Sequence, residues 1–265
     1  MSARVQVRGA RVVITGAGSG IGAATAQRFS EAGARVVAVD IDAASAAATA
    51  ERCGGASYQC DVADAAAVSE LAWAVELEQG AVDVLVNNAG VGLGGSFLET
   101  SVDDWDWLRS INLDGVAYGC YAFGPAMVER RHGQIVNVAS AAAYLPNRSM
   151  AAYSATKAAV FSFSQCLRAD WAGKGVGVSV ICPGLINTPI ASHARLCGGL
   201  AVRQKRIVRA FRFGHSPDLV GAAIVRAVER NQAIAPVGLE SALAYRVLRF
   251  APGPVHGLLA KFNPG

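Results

Sequence analysis

The sequence has few residues in arrangements that hold metal. Its four histidines include no H-x-x-x-H pair, and its six cysteines include no C-x-x-C pair. Zinc centres need such spacings, so no metal site is expected. The cysteines at 53, 60, 120, 166, 182 and 197 read as reduced thiols, several of them in apolar strand-like runs. No apolar run of signal-peptide length precedes the first strand-like segment, so a cytoplasmic protein is expected. The longest charge-free run, 175–194, holds two prolines and three glycines, which suits a strand and turn and not a membrane helix. Charged residues are only 17%, and a net charge of +4 is too mild to imply nucleic acid. Proline- or serine-rich linkers and fixed-period repeats are also missing, so residues 1–265 read as a single domain. The lack of G-x-S-x-G argues against a serine hydrolase.

What is present is apolar and regular. Hydrophobic residues make up 52% of the chain. Strand-like runs at 11–15, 35–40, 57–61, 82–88, 133–140, 177–183 and 233–236 are rich in Val and Ile. Most lack polar alternation, the pattern of strands buried on both faces. Between them the sequence predicts helices at about 20–32, 43–53, 64–79, 103–131, 150–172 and 217–230. This alternation predicts an α/β fold: a Rossmann-type doubly wound parallel sheet of about seven strands with helices on both faces. Ligands on such sheets bind beyond the carboxyl ends of the strands.

The first strand ends in "TGAGSGIG", residues 15–22. Gly16, Gly20 and Gly22 lie where a sharp turn must let the backbone approach a pyrophosphate, and the helix after it offers free N–H groups. Asp40 ends the second strand, 24 residues beyond Gly16. Its carboxylate can accept from a ribose 2′-hydroxyl and repel a 2′-phosphate. Residue 19 is Ser, and no Arg or Lys lies in the turn or immediately after Asp40. NAD is therefore expected over NADP. Asp42 is better placed than Asp40 to cap the second helix. In "AAYSATKAAV", Tyr153 and Lys157 are four residues apart and share a helical face.

Jointly, "TGAGSGIG", "DV" at 61–62, "NNAG" at 87–90, "IN" at 111–112, "VNVAS" ending at Ser140, "YSATK" at 153–157 and "PG" at 183–184 resemble the short-chain dehydrogenase/reductase family. The resemblance runs from about 10 to 190. Downstream, "APV" at 235–237 loosely resembles actinobacterial members fused to or neighbouring α/β-hydrolases. By resemblance, Tyr153 is the acid/base, Lys157 its partner, Ser140 the substrate-positioning hydroxyl and Asn112 the fourth member. The family relay also implies that the Asn112 amide holds a water linking Lys157 to solvent. The cofactor set implied is Gly16, Ser19, Gly20, Ile21, Gly22, Asp40, Asp61, Val62, Asn88, Ala89, Gly90, Tyr153, Lys157, Pro183, Gly184, Ile186 and Thr188. Asp61 and Val62 would contact adenine, 88–90 the adenosine side, and Ile186 and Thr188 the carboxamide. The one departure is Ala139 before Ser140, often Ser in relatives.

The chemistry fits these residue types. A free tyrosine titrates near ~10, about 4 kcal/mol from serving as a base at neutral pH. Positive charge from Lys157 would lower that barrier. The expected reaction is NAD-dependent interconversion of a secondary alcohol and its ketone; the alternative is a non-enzymatic dinucleotide-binding scaffold or sensor on the same fold. Residues 141–145, Val91, Leu93, Leu185 and Ile190 predict an apolar pocket wall and a lipophilic small-molecule substrate. The segment 195–214 carries six basic residues, no acid and the pair Gly198–Gly199. It predicts a substrate lid at about 190–214, whose basic residues read as a solvated outer face or as partners for acids of a neighbouring subunit, or, more sharply, as attraction for an anionic substrate or a lipid surface, with the apolar stretch 242–262 assisting in peripheral membrane contact. The aromatics Tyr118, Tyr121, Phe123, Phe161, Phe163 and Trp171, together with the family resemblance, predict a homodimer or homotetramer.

Overall fold

The structure, a computed structural model, describes residues 4–145 and 147–252. Seven parallel strands form one sheet in the order β3-β2-β1-β4-β6-β7-β9. These are β1 (Arg11–Thr15), β2 (Arg35–Asp40), β3 (Ala56–Gln59), β4 (Val84–Asn87), β6 (Gly133–Val138), β7 (Val176–Pro183) and β9 (Ile234–Val237). Two further strands, β5 (Leu93–Gly94) and β8 (Arg195–Leu196), pair in parallel as a separate ribbon. β1 is flanked by β2 through Val12↔Val36 and by β4 through Ile14↔Val86. The winding reverses there, so the crevice beyond the carboxyl ends of β1 and β4 is the site to inspect.

The sheet is buried on both faces, as its unbroken Val/Ile runs require. Val12 and Ile14 pack on one side with Phe29 of α1 (Gly20–Glu31) and with Val220, Ile224 and Val228 of α9 (Pro217–Arg230). Val13, Leu85 and Ile135 pack on the other with α3 (Ala65–Gln79) and with Phe123 and Met127 of α5 (Gly115–Glu129). Successive residues of β1 thus serve opposite layers, the two-residue period of a strand. Phe29 and Phe123 are fully sequestered, each worth roughly 2–3 kcal/mol of transfer free energy. α2 (Ala43–Cys53) starts where Asp42 accepts from the Ala44 amide and stops at Gly54 in the left-handed region.

One expected element is divided. The helix expected over 103–131 is α4 (Val102–Arg109) and α5, joined by a π-helical turn at Ser110–Asp114. The chain also forms α6 (Ala151–Asp170), α7 (Ile190–His193), α8 (Gln204–Phe211) and α10 (Leu239–Phe250). Within the apolar stretch at 242–262, only 242–252 lie among the described residues. The aromatic excess on α5 and α6 is largely absorbed inside the protein. Tyr118, Phe163 and Trp171 pack on the core, Phe161 joins a ring cluster, and Tyr121 stands exposed. That count therefore no longer argues for an interface.

Candidate active site

The crevice is floored by the glycine turn, and the chain's own backbone makes it tight. Gly16 and Gly20 have φ of +64° and +53°, a region that favours glycine. A Cβ on Gly22 would stand 2.0 Å from the Gly16 carbonyl oxygen. Asn88 braces the turn: its Nδ2 donates to the carbonyls of Thr15 (2.9 Å) and Gly16 (3.1 Å). Thr15 Oγ1 accepts from the amides of Asn88 and Ala89, both at 3.1 Å. Asn88 is thus a clamp between strands, a role its sequence position did not reveal, and Thr15 was missed altogether. Ser19 begins α1 without a side-chain cap, and no acid lies in the first turn. Ile21 lies half-buried against the core in that turn. The uncapped first-turn amides of α1 suit an anion. Thr188 packs over the turn, 3.3 Å from where a Gly20 Cβ would sit.

Asp40 lies along the same turn. Its Oδ2 accepts from the Gly18 amide at 2.8 Å and its Oδ1 from the Asp42 amide at 3.1 Å. The carboxylate keeps further lone pairs for a hydroxyl. Val62 is buried, with its carbonyl against Gly115, and Asp61 is exposed, its Oδ1 accepting from the Ala63 amide. Pro183 ends β7, and Gly184 donates to the Val237 carbonyl. Ile186 is buried within the core layer that holds Val12 and Ile14, and its backbone bridges to His215.

The acid/base candidates converge at the carboxyl end of β6. Lys157 is buried, its Nζ donating to the Val138 carbonyl at 3.1 Å and lying 5.9 Å from the centre of the Tyr153 ring. Burial brings its pKa down to about 8. Ser140 begins the short 3₁₀ turn 141–143, its Oγ accepting from the Ala142 amide at 3.1 Å. Burial raises the pKa of Tyr153, and a hydrogen bond with the Ser140 side chain partly offsets this. The direction is opposite to the one expected from Lys157: desolvation of the phenolate dominates, and the hydrogen bond with Ser140 opposes it. Gly90 fits between the two partners; a Cβ there would stand 3.2 Å from Asn112 Oδ1 and 3.3 Å from Lys157 Nζ. Asn112 sits in the π-helical turn, fully buried. Its Oδ1 accepts from the Val91 amide (2.8 Å) and its Nδ2 donates to the Val91 carbonyl (2.9 Å). Its side-chain amide thus ties the π-helical turn to the backbone beyond β4, and one N–H and one lone pair remain beside these two bonds.

The model of the short chain dehydrogenase family matches residues 10–196. The chain belongs to the short-chain dehydrogenase family. It is 43% identical over 254 residues to a probable oxidoreductase, EphD, of Mycobacterium tuberculosis, a match covering 91% of this chain and 43% of that protein. The chain therefore spans less than half the length of that relative. D-threitol dehydrogenase of Mycolicibacterium smegmatis is 40% identical over 217 residues, covering 80% of this chain and 83% of the relative. Among solved structures, a short-chain dehydrogenase/reductase from Burkholderia phymatum in complex with NAD superposes with a TM-score of 0.85 at 33% identity, covering 92% and 93% of the two chains.

In this member of the short-chain dehydrogenase family the mouth of the crevice differs from the expected apolar wall. Leu93 turns inward onto Leu108 and Ala152. Tyr144 swings its hydroxyl onto Ser241 (2.5 Å), which in turn donates to the Cys182 carbonyl at 2.6 Å. Its ring stacks edge-on with Phe161 and Tyr245. The start of 195–214 is fastened. The Arg195 amide donates to the Gly92 carbonyl and the Cys197 amide to the Gly94 carbonyl. Arg195 also binds Asp104 at 3.1 Å and stacks on Trp107, 3.8 Å from the ring centre. Gly198 lies against the Glu99 carboxylate, to which the Gly199 amide donates. At the far end, the Asn187 amide donates to the His215 carbonyl and the His215 amide to the Leu185 carbonyl.

Proposed function

We propose that the chain is an NAD-dependent dehydrogenase that interconverts a lipophilic secondary alcohol and its ketone. The observation carrying this reading is the convergence of Ser140, Tyr153 and Lys157 beside the glycine turn and Thr188. The residues fit a dinucleotide: the turn leaves no room for side chains, α1 begins without a cap, and Asp40 lies where a ribose hydroxyl would donate. The absence of a basic residue beside Asp40 supports NAD over NADP. When bound, the cofactor supplies the hydride acceptor or donor.

The protein's own part is the proton. Tyr153, its pKa raised by burial, holds its proton at neutral pH and is suited to donate it to a ketone oxygen. In the oxidative direction Tyr153 accepts the alcohol proton, and the Lys157 ammonium stabilises the phenolate. With a pKa of about 8, Lys157 is still mostly charged at neutral pH. Ser140 donates to the substrate oxygen and holds it beside Tyr153. Asn112, by fixing Val91, sets the wall on which Gly90 leaves space for Lys157. Val91, Ile190 and Leu200 support an apolar substrate, although the related D-threitol dehydrogenase is named for a polyhydric one. Residues 198–214 act as the lid, residues 1–265 form one dinucleotide-binding and catalytic domain, and the protein works as a cytoplasmic homo-oligomer.

Tyr153→Phe tests the proposal. Turnover of secondary alcohols should fall by ~10²–10⁴, while NAD affinity is kept. Near-normal turnover would remove Tyr153 from the chemistry. Binding of NAD without activity on any alcohol or ketone would favour a scaffold or sensor.

A further inference from the structure

Charge is unevenly distributed over this protein. The segment 195–214 holds six of the 24 basic residues and none of the 20 acidic ones, so the remainder is slightly negative, 18 against 20. On α8, Ile207, Val208 and Phe211 are half-buried, while Lys205, Arg206 and Arg209 stand in solvent. Bulky apolar side chains stand out among these charges. Val202 is 89% exposed and Phe213 83%. Lys205, Val208, Arg209, Arg212 and Phe213 line one surface cleft.

This basic face adjoins an apolar one. Phe213 is two residues from His215, whose Nε2 lies 3.0 Å from Glu240 Oε2 in the first turn of α10. Glu240 also accepts from the Leu185 amide at 3.0 Å, which brings α10 to the loop after β7. Burial would raise the pKa of Glu240, but hydrogen bonds from its own amide, His215 and the Leu185 amide hold it low, so the carboxylate is already engaged. Along α10, Leu239, Leu243, Val247 and Phe250 are all exposed, Leu239 and Phe250 by 81% and 82%. Their spacing of four, four and three residues draws one stripe along a helix. Arg246 and Arg249 flank it, also exposed.

We propose that α8, Phe213 and α10 form a docking surface for an anionic lipid bilayer. Exposed Leu, Val and Phe among Arg and Lys is the composition of helices that lie in a membrane interface. Protein–protein interface cores, by contrast, are depleted in lysine and in charge generally. Two copies of the face would bring Lys205, Arg206, Arg209, Arg246 and Arg249 of each together, with its one acid, Glu240, already engaged by His215 and the Leu185 amide, so symmetric self-docking is opposed. Among the described residues no helix is long and apolar enough to cross a membrane, so contact through this face is peripheral. The surface includes the outer face of the lid and adjoins the loop at Leu185, so a lipophilic substrate would reach the crevice from the lipid side. That last step rests on the proposed function; the docking itself does not.

The test is vesicle sedimentation of the whole protein without cofactor. Phosphatidylcholine vesicles are compared with vesicles containing one quarter phosphatidylglycerol, at low and high salt. Two variants are used: Arg203→Gln with Lys205→Gln, Arg206→Gln and Arg209→Gln, and Leu243→Ser with Val247→Ser and Phe250→Ser. Binding is expected to the anionic vesicles only, and to weaken at high salt. The first variant should lose at least about 100-fold in affinity. The second should also weaken binding, with melting temperature and NAD affinity preserved in both, and turnover of a short soluble alcohol preserved in the second, whose residues lie outside the lid. No binding to anionic vesicles, or binding unaffected by both variants, would overturn the proposal. So would a stable oligomer that the α10 variant dissociates, because another copy would then cover the stripe. Loss of catalysis in Tyr153→Phe with vesicle binding intact separates this inference from the enzymatic one.

Discussion

Lys157 is kept at a cost to stability that can be measured. Burial moves its pKa from 10.5 to about 8, which corresponds to about 3 kcal/mol of penalty on the charged form. At pH 7 both the folded and the unfolded lysine are protonated, so the penalty is fully present. Between about pH 8 and 10.5 the folded protein sheds this proton and the unfolded chain keeps it. The unfolded state then binds more protons, so the lysine's contribution makes stability rise with pH through that window. Lys157→Met removes the charge and nearly preserves the volume. It also leaves the Val138 carbonyl without its Nζ donor, a loss of about 1 kcal/mol. The cofactor-free variant should therefore be more stable than the parent by about 2 kcal/mol at pH 7, or about 4–8 °C in melting temperature. The gain should shrink steadily above about pH 8, vanish before about 10.5, and give way above it to a deficit of about 1 kcal/mol from the lost hydrogen bond. Denaturant unfolding at neutral pH and near pH 9.5 decides it, alongside loss of alcohol oxidation. Equal or lower stability of Lys157→Met at pH 7, or a difference that does not narrow with pH, would refute the reasoning.

Gly22→Ala should lose NAD affinity by at least ~10-fold and destabilise the fold by roughly 1–3 kcal/mol, read by titration and melting, because its Cβ would meet a backbone oxygen at 2.0 Å. Asp40→Ala should weaken NAD binding and relax rejection of NADP in a cofactor competition assay; a parent protein that already uses both equally well would contradict the role given to Asp40. Trypsin should cut first at the exposed residues Arg203, Lys205, Arg206 and Arg209, and more slowly once NAD and a substrate analogue are bound. Cleavage there at an unchanged rate would count against a lid that closes.

What could be read from the sequence was what the local chain dictates. The strands were legible because runs such as "RVVIT" and "RVVAVD" are apolar throughout, and both ends of α2 because Asp42 caps it and Gly54 stops it. The sharp glycine turn and the place of Asp40 at the end of β2 were legible for the same reason: both follow from backbone shape next to a strand end. The π-helical turn at 110–114 was hidden, because a shift in hydrogen-bond register leaves no compositional mark. So were contacts between distant segments. Asn112 spends its amide on Val91, Tyr144 finds Ser241 across 97 residues, and β5 meets β8 about 100 residues on. The raised pKa of Tyr153 belongs to this class as well, since desolvation comes from the assembled crevice and not from the helical spacing to Lys157.

The ribbon of β5 and β8 makes the region after it a replaceable cassette. Residues 198–214 leave the body at a point fixed by Arg195 and Cys197 and return at His215, which is pinned to Leu185 and Asn187. Both gateposts stand whatever lies between them. Lengthening such an excursion costs little, about 0.6 kcal/mol for a doubling of its length. With 198–214 in the proposed role of lid, a graft from a relative, spliced just after Cys197 and just before His215, would exchange the roof of the crevice while leaving the glycine turn, Ser140, Tyr153 and Lys157 in place. Selectivity in this protein is thus open to transplantation without re-engineering the sheet.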